Sequence, residues 1–131
     1  MHGITQLNEL LLSMRPRLME PEYVFCTVPG NLGEYLGLHP LAVFQELEGL
    51  TLLLEKTVAE QAGLLFSGVF KQITLTVHSS LQAVGLTAVV ATKLADYGIS
   101  ANVIAAYYHD HVFVPADKAA QAMQALAEFN L

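Results

Sequence analysis

VHSSLQAVGLTAVVATKLADYGISANVIAAYYHDHVFV, residues Val77–Val114, decides how this chain is read. It runs from the end of a strand through a glycine-containing turn into an amphipathic helix, then into a hairpin. Leu86, Val89, Val90, Leu94 and Tyr97 fall on one helical stripe, and Gly98 stops that helix. Ala101–Tyr108 and His111–Val114 read as two strands turning at His109-Asp110, with Pro115 as their end. A turn that opens a helix after a strand gathers unpaired backbone N–H groups, which suits a small anion.

Working outward, Val69–Val77 alternates as a strand, with Ile73, Leu75 and Val77 on one face and Thr74 and Thr76 on the other. Ala119, Ala122, Met123 and Leu126 give the buried stripe of a final helix. Leu7, Leu10, Leu11 and Met14 predict a first helix that ends before Pro16. Tyr23–Val28 reads as a strand, Pro29–Gly33 as a loop, and Thr57–Ala62 as a short helix. Leu41–Leu47 and Leu50–Lys56 read as a hairpin across Glu48-Gly49.

The same plan occurs twice. Ala42–Ala62 and Val103–Met123 both read strand, tight turn, strand, acidic-Lys pair, helix, with Glu55-Lys56 set against Asp117-Lys118 at an offset of 62 positions. The first copy has PGNLGEYLGLHP where the second has a full helix. Two copies of β-(α)-β-β-α predict an α+β fold of two interlocked ferredoxin-like βαββα halves, residues 1–68 and 69–131. Antiparallel sheets with helices packed on one face are the expected architecture.

Composition narrows the function. The 131 residues are 53% hydrophobic and only 14% charged, where roughly a quarter charged is usual, so a second copy is expected to cover some apolar surface. A net charge of −6 with six Lys and Arg and no basic cluster argues against nucleic acid. No apolar run is long enough to span a membrane. The opening MHGITQLNELLLSMRPRL has neither the basic start nor the cleavage site of a signal peptide, so the expectation is a cytoplasmic protein. The single cysteine, Cys26, lies in YVFCTV and reads as an inert buried thiol.

The strings HSSLQAVGLT and YYHDHVFVP, with YVFCTV and PLAVFQELEGLTLLLEK before them, closely resemble a bacterial family of small tandem ACT-domain proteins, from about Leu10 to the end. The resemblance implies a non-catalytic regulatory protein that binds an amino acid or similar metabolite, often where two such domains meet. It implies no cofactor. The first copy departs from the pattern by lacking the long helix, which puts a second equivalent site in doubt.

On that reading His78, Ser79, Ser80, Val84, Gly85, Leu86 and Thr87 would hold the anionic end of the ligand, with Gly85 allowing close backbone approach. Asn102 and Asp110 would meet the polar remainder, Asp110 facing an ammonium. Plain alternatives stand beside each: Ser79 or Ser80 capping the helix, Asp110 as a turn former, Asn102 closing a local turn. Gly85→Val would then abolish ligand response and leave the fold intact. A metal enzyme built on His78, His109 and His111 is a weaker reading, because no supporting acidic cluster accompanies them; no metal is expected. The rival to the sensor is a protein–protein interaction module without a small ligand.

Overall fold

The computed structural model describes residues 2–76 and 85–130, with residues 2–6 as backbone. The chain divides into two compact units, Met1–Glu20 with Lys71–Leu131, and Pro21–Phe70. Strand β1 (Arg15–Val28) gives residues 15–20 to the first unit and 21–28 to the second.

The first unit holds helix α1 (His2–Ser13), the start of β1, then β4 (Phe70–Thr76) from Lys71 on, α3 (Leu86–Asp96), β5 (Asn102–Ala105), β6 (Asp110–Pro115) and α4 (Ala119–Ala127). Its strand order is β1–β4–β6–β5. Thr76 Oγ1 donates to the Arg15 carbonyl and Lys71 Nζ to the Glu20 carbonyl, so opposite ends of β1 and β4 meet and the two run antiparallel. β5 and β6 are antiparallel, with Asn102 opposite Phe113 and Ala105 opposite Asp110. With β1 as outer neighbour of β4, the βαββα plan becomes a ferredoxin-like sheet.

One face of this sheet is covered. Ile73 and Leu75 of β4, Val112 and Val114 of β6, Leu86, Val90 and Leu94 of α3, and Ala119, Ala122 and Leu126 of α4 form one buried cluster with Met14. The strand residues alternate with period two and the helix residues recur every three or four, so each element turns one stripe inward. Leu7, Leu10 and Leu11 lay α1 on the same cluster. Asn130 fastens α1: its Nδ2 donates toward the carbonyls of Leu11, Leu12 and Met14 at 3.1, 3.1 and 2.9 Å. These groups end a helix and have no intrahelical donor. Asn130→Ala is expected to lower stability by about 1–2 kcal/mol, seen as a lower urea midpoint at unchanged slope; an unmoved midpoint would contradict this role.

The second unit holds the rest of β1, two short 3-10 turns (Leu32–Glu34 and Leu36–Leu38), β2 (Ala42–Gln45), β3 (Leu50–Glu55) and α2 (Lys56–Gln61). Its order is β2–β3–β1, all antiparallel. Val24, Cys26, Val28, Leu50, Leu52, Leu54 and Ala59 make its core. Burial pushes the Cys26 thiol pKa up, as an unreactive thiol requires.

Three expectations shift in detail. β1 begins at Arg15, eight residues before the expected Tyr23; Pro16, Pro21 and the charges of Arg15, Glu20 and Glu22 hid its first half. The second hairpin turns on Tyr107-Tyr108, because the Ala106 N–H donates to the His109 carbonyl at 3.0 Å. Asp110 is therefore the first residue of β6. The first hairpin does the same 60 positions earlier, Glu46 N–H donating to the Gly49 carbonyl at 2.9 Å. The structural repeat thus runs at 60, with β2 and β3 set against β5 and β6. Asp117-Lys118 lies in an additional 3-10 turn, Ala116–Lys118, and is not the counterpart of Glu55-Lys56.

Candidate functional site

The start of α3 is built on Gly85, whose φ of +96° falls in the left-handed region that side chains disfavour. Its carbonyl accepts from Val89, closing the first helical turn. Gly85 supplies no side-chain cap, and the first turn carries no acidic residue. The N–H groups of this turn and the positive end of the helix dipole therefore meet no negative charge from the first turn itself. Leu86 is 2% exposed and belongs to the core, whereas Thr87 is exposed.

Asp110 alternates with His111 and so shares the helix-covered face with Val112. His111 lies between Gln72 and Thr74 at the middle of β4. In a ferredoxin-like sheet β6 runs antiparallel to β4, so the residue before His111 lies toward the C-terminal end of β4. Asp110 is thus at the end of the sheet where β4 finishes. α3 begins at that end too: it is followed by Tyr97–Ala101 and then Asn102, the far end of β5. An eleven-residue helix spans roughly 16 Å, about the length of these strands. Gly85, Thr87 and Asp110 accordingly share one end and one face of the sheet.

Asn102 does not join them. It stands opposite Phe113, on the face away from Val103 and Val112 and at the other end of β5. His78, Ser79, Ser80 and Val84 lie outside the described residues. Of the three histidines read as a metal set, His78 is among these; His109 closes the hairpin turn and His111 sits on β6. Among the described residues no group of His, Cys, Asp and Glu is arranged to hold a metal ion.

The turn after β1 in the second unit differs. Glu34 folds back against Gly30, filling the space a Cβ would need, and 3-10 turns replace the helix. The first of these turns carries the acidic Glu34, and each is only three residues long.

Sequence reasoning missed one group. Gln72, Thr74 and His111 form a hydrogen-bonded cluster across β4 and β6. Its signal was the pair of polar residues two apart in a strand, sharing one face.

The comparisons with known proteins agree with this architecture. Residues 2–71 and residues 69–128 each match a family model for the ACT domain. The chain is similar to a protein of unknown function from Vibrio cholerae, a possible transport protein, at 63% identity over 98% of this chain and 99% of that one, with a TM-score of 0.91. A protein from Agrobacterium tumefaciens shares 12% identity over 89% of each chain at a TM-score of 0.70. The regulatory subunit of aspartate kinase from Thermus thermophilus, in its ligand-free form, shares 12% identity over 90% of this chain and 97% of that one at 0.67. These last two likenesses are of fold. A search of curated proteins finds no match. No helix among the described residues is long and apolar enough to cross a membrane. With the βαββα plan complete in the second copy, its counterpart in the first carrying 3-10 turns in place of the first helix, and both halves matched, the chain belongs to the ACT-domain family as a tandem of two such domains.

Proposed function

We propose that this protein is a non-catalytic regulatory sensor that binds an amino acid or a closely related metabolite. The observation that carries this reading is the start of α3: a left-handed glycine and a first turn without acid, with Asp110 at the same end and face of the sheet. Backbone N–H groups would take the ligand carboxylate and Asp110 its ammonium. The reading assigns one such site to the second domain and none to the first. His78, Ser79, Ser80 and Val84 remain proposed contacts of the carboxylate, and Asn102 becomes a candidate for a more distant part of a larger ligand. The expected setting is the cytoplasm, and the low charge supports association with a second copy.

A thermal-unfolding screen of the purified protein against the proteinogenic amino acids tests this. A ligand at a hundred times its dissociation constant adds about 2.7 kcal/mol, a rise of several degrees for a chain of this size. One selective hit, lost in Asp110→Ala, is the expected result. A flat screen at millimolar concentrations would contradict it and favour the interaction module, for which Phe44 (70% exposed) and Leu47 (104%) on the first hairpin are the apolar surface.

A further inference from the structure

On the helix-free face of the first unit's sheet, a polar group is buried between strands. Gln72 and Thr74 of β4 are only 6% and 8% exposed, and His111 of β6 is half-buried. His111 Nδ1 lies 3.0 Å from Gln72 Nε2 and 3.0 Å from Thr74 Oγ1, and those two atoms are 3.5 Å apart. The ligand site proposed above uses none of the three.

We propose that this cluster is a proton-operated latch: neutral His111 holds the β5–β6 hairpin to β4, and a proton on His111 loosens it.

The topology makes the hairpin the element that responds. β5 is the outer strand and pairs with β6 alone, so the hairpin is tied to the rest of its sheet through the β6–β4 seam. The Gln72 amide nitrogen can only donate, so the neutral ring that bonds it carries its proton on Nε2, and its bare Nδ1 accepts from the Gln72 amide or the Thr74 hydroxyl. A proton on Nδ1 turns the acceptor into a donor. The Gln72 amide then faces another donor and must turn over, while Thr74 must accept instead of donate. The charged ring must also give up hydration that it keeps in the unfolded chain.

The surroundings do not offset this. β5 (Asn102–Ala105) has no ionisable side chain, and Lys71 of β4 is engaged with the Glu20 carbonyl. His109 and Asp110 are the ionisable groups beside His111 on its own strand and turn. Burial lowers the His111 pKa most, His109 lowers it further, and Asp110 opposes them. The folded pKa therefore lies below the unfolded value of about 6.5. Between the two, the unfolded chain binds more protons than the folded one. The latch is intact above about pH 6.5 and fails as pH falls through the folded value.

NMR titration of the imidazole resonances of the full chain tests this, with the His111 signal identified by its loss in His111→Asn. The midpoint is expected below about 6.5. Gln72→Glu, which sets a carboxylate beside Nδ1, is expected to raise it by about one unit or more. The N–H groups of Val112 and Val114 point across the seam, because those of His111 and Phe113 take the bonds to β5. Amide exchange at Val112 and Val114, corrected for intrinsic rate, is expected to quicken between pH 7.5 and pH 5.5 relative to Leu52 and Leu54 of β3, and Gln72→Glu to suppress that change. If His111→Asn does not fold, the signal that Gln72→Glu moves most identifies His111. A wild-type midpoint at or above about 6.5, or exchange at Val112 and Val114 that tracks Leu52 and Leu54 at both pH values, would overturn the proposal.

Discussion

Leu94→Ala is expected to lower the unfolding free energy by about 3 kcal/mol, within the range of about 2–5 kcal/mol seen for such truncations. Leu94 is 0% exposed, on the inward stripe of α3 with Leu86 and Val90, in the cluster that also contains Ile73 and Val112. Removing its three outer carbons leaves a void that a sheet on one side and α4 on the other cannot readily close. The loss shows as a lower urea midpoint and a melting temperature reduced by roughly 10 °C. Leu12→Ala serves as the control, since Leu12 lies on the same unit's α1 but is 55% exposed. Equal losses in both variants would mean that α3 does not carry the core of the second domain.

The second large effect is Gly85→Val, expected to cost about 2–3 kcal/mol. At a φ of +96° a residue with a branched Cβ is strained by about 1–3 kcal/mol. A Cβ there would also lie 3.2 Å from Leu7 Cδ2, pressing on α1. This corrects the expectation that Gly85→Val would remove ligand response and spare the fold: the backbone requires glycine with or without a ligand. Gly37→Ala is the matched comparison, because nothing lies within 4 Å of its Cβ position and its φ is not left-handed. The account requires Gly85→Val to be clearly the less stable of the two by thermal denaturation. Ligand response is therefore better tested at Asp110, where the side chain and not the backbone carries the argument.

Much of the fold was legible because patterning and packing agree. Ile73 and Leu75, or Leu86, Val90 and Leu94, are spaced for one face of a strand or a helix, and the structure buries them together. The repeat was legible as element order for the same reason. Turn positions were not. Moving either hairpin's pairing by an even number of residues keeps every side chain on its own face, so hydrophobic alternation does not choose between registers. His109-Asp110 has the residue types of a turn, yet the ladder that sets Asn102 opposite Phe113 places the bend at Tyr107-Tyr108. Register then decides the candidate site. It moves Asp110 from a hairpin tip onto the helix-covered face and leaves Asn102 on the other. The role of Leu86 was obscured because one spacing serves both a helix start and a core stripe. The Gln72–Thr74–His111 cluster depends on the pairing of β4 with β6, which joins residues 37 and 39 positions apart, so the polar pair in β4 did not by itself name its partner.

The central claim is that the start of α3 and Asp110 together hold an amino-acid ligand. The measurement that tests it most directly is a two-dimensional amide NMR titration of the full chain with each proteinogenic amino acid in turn. One amino acid is predicted to shift the Gly85, Leu86, Thr87 and Asp110 amides together and saturably, leaving the corresponding turn at Pro29–Gly33 unmoved. Shifts confined to other surfaces, or none at millimolar concentration with any amino acid, would contradict the account.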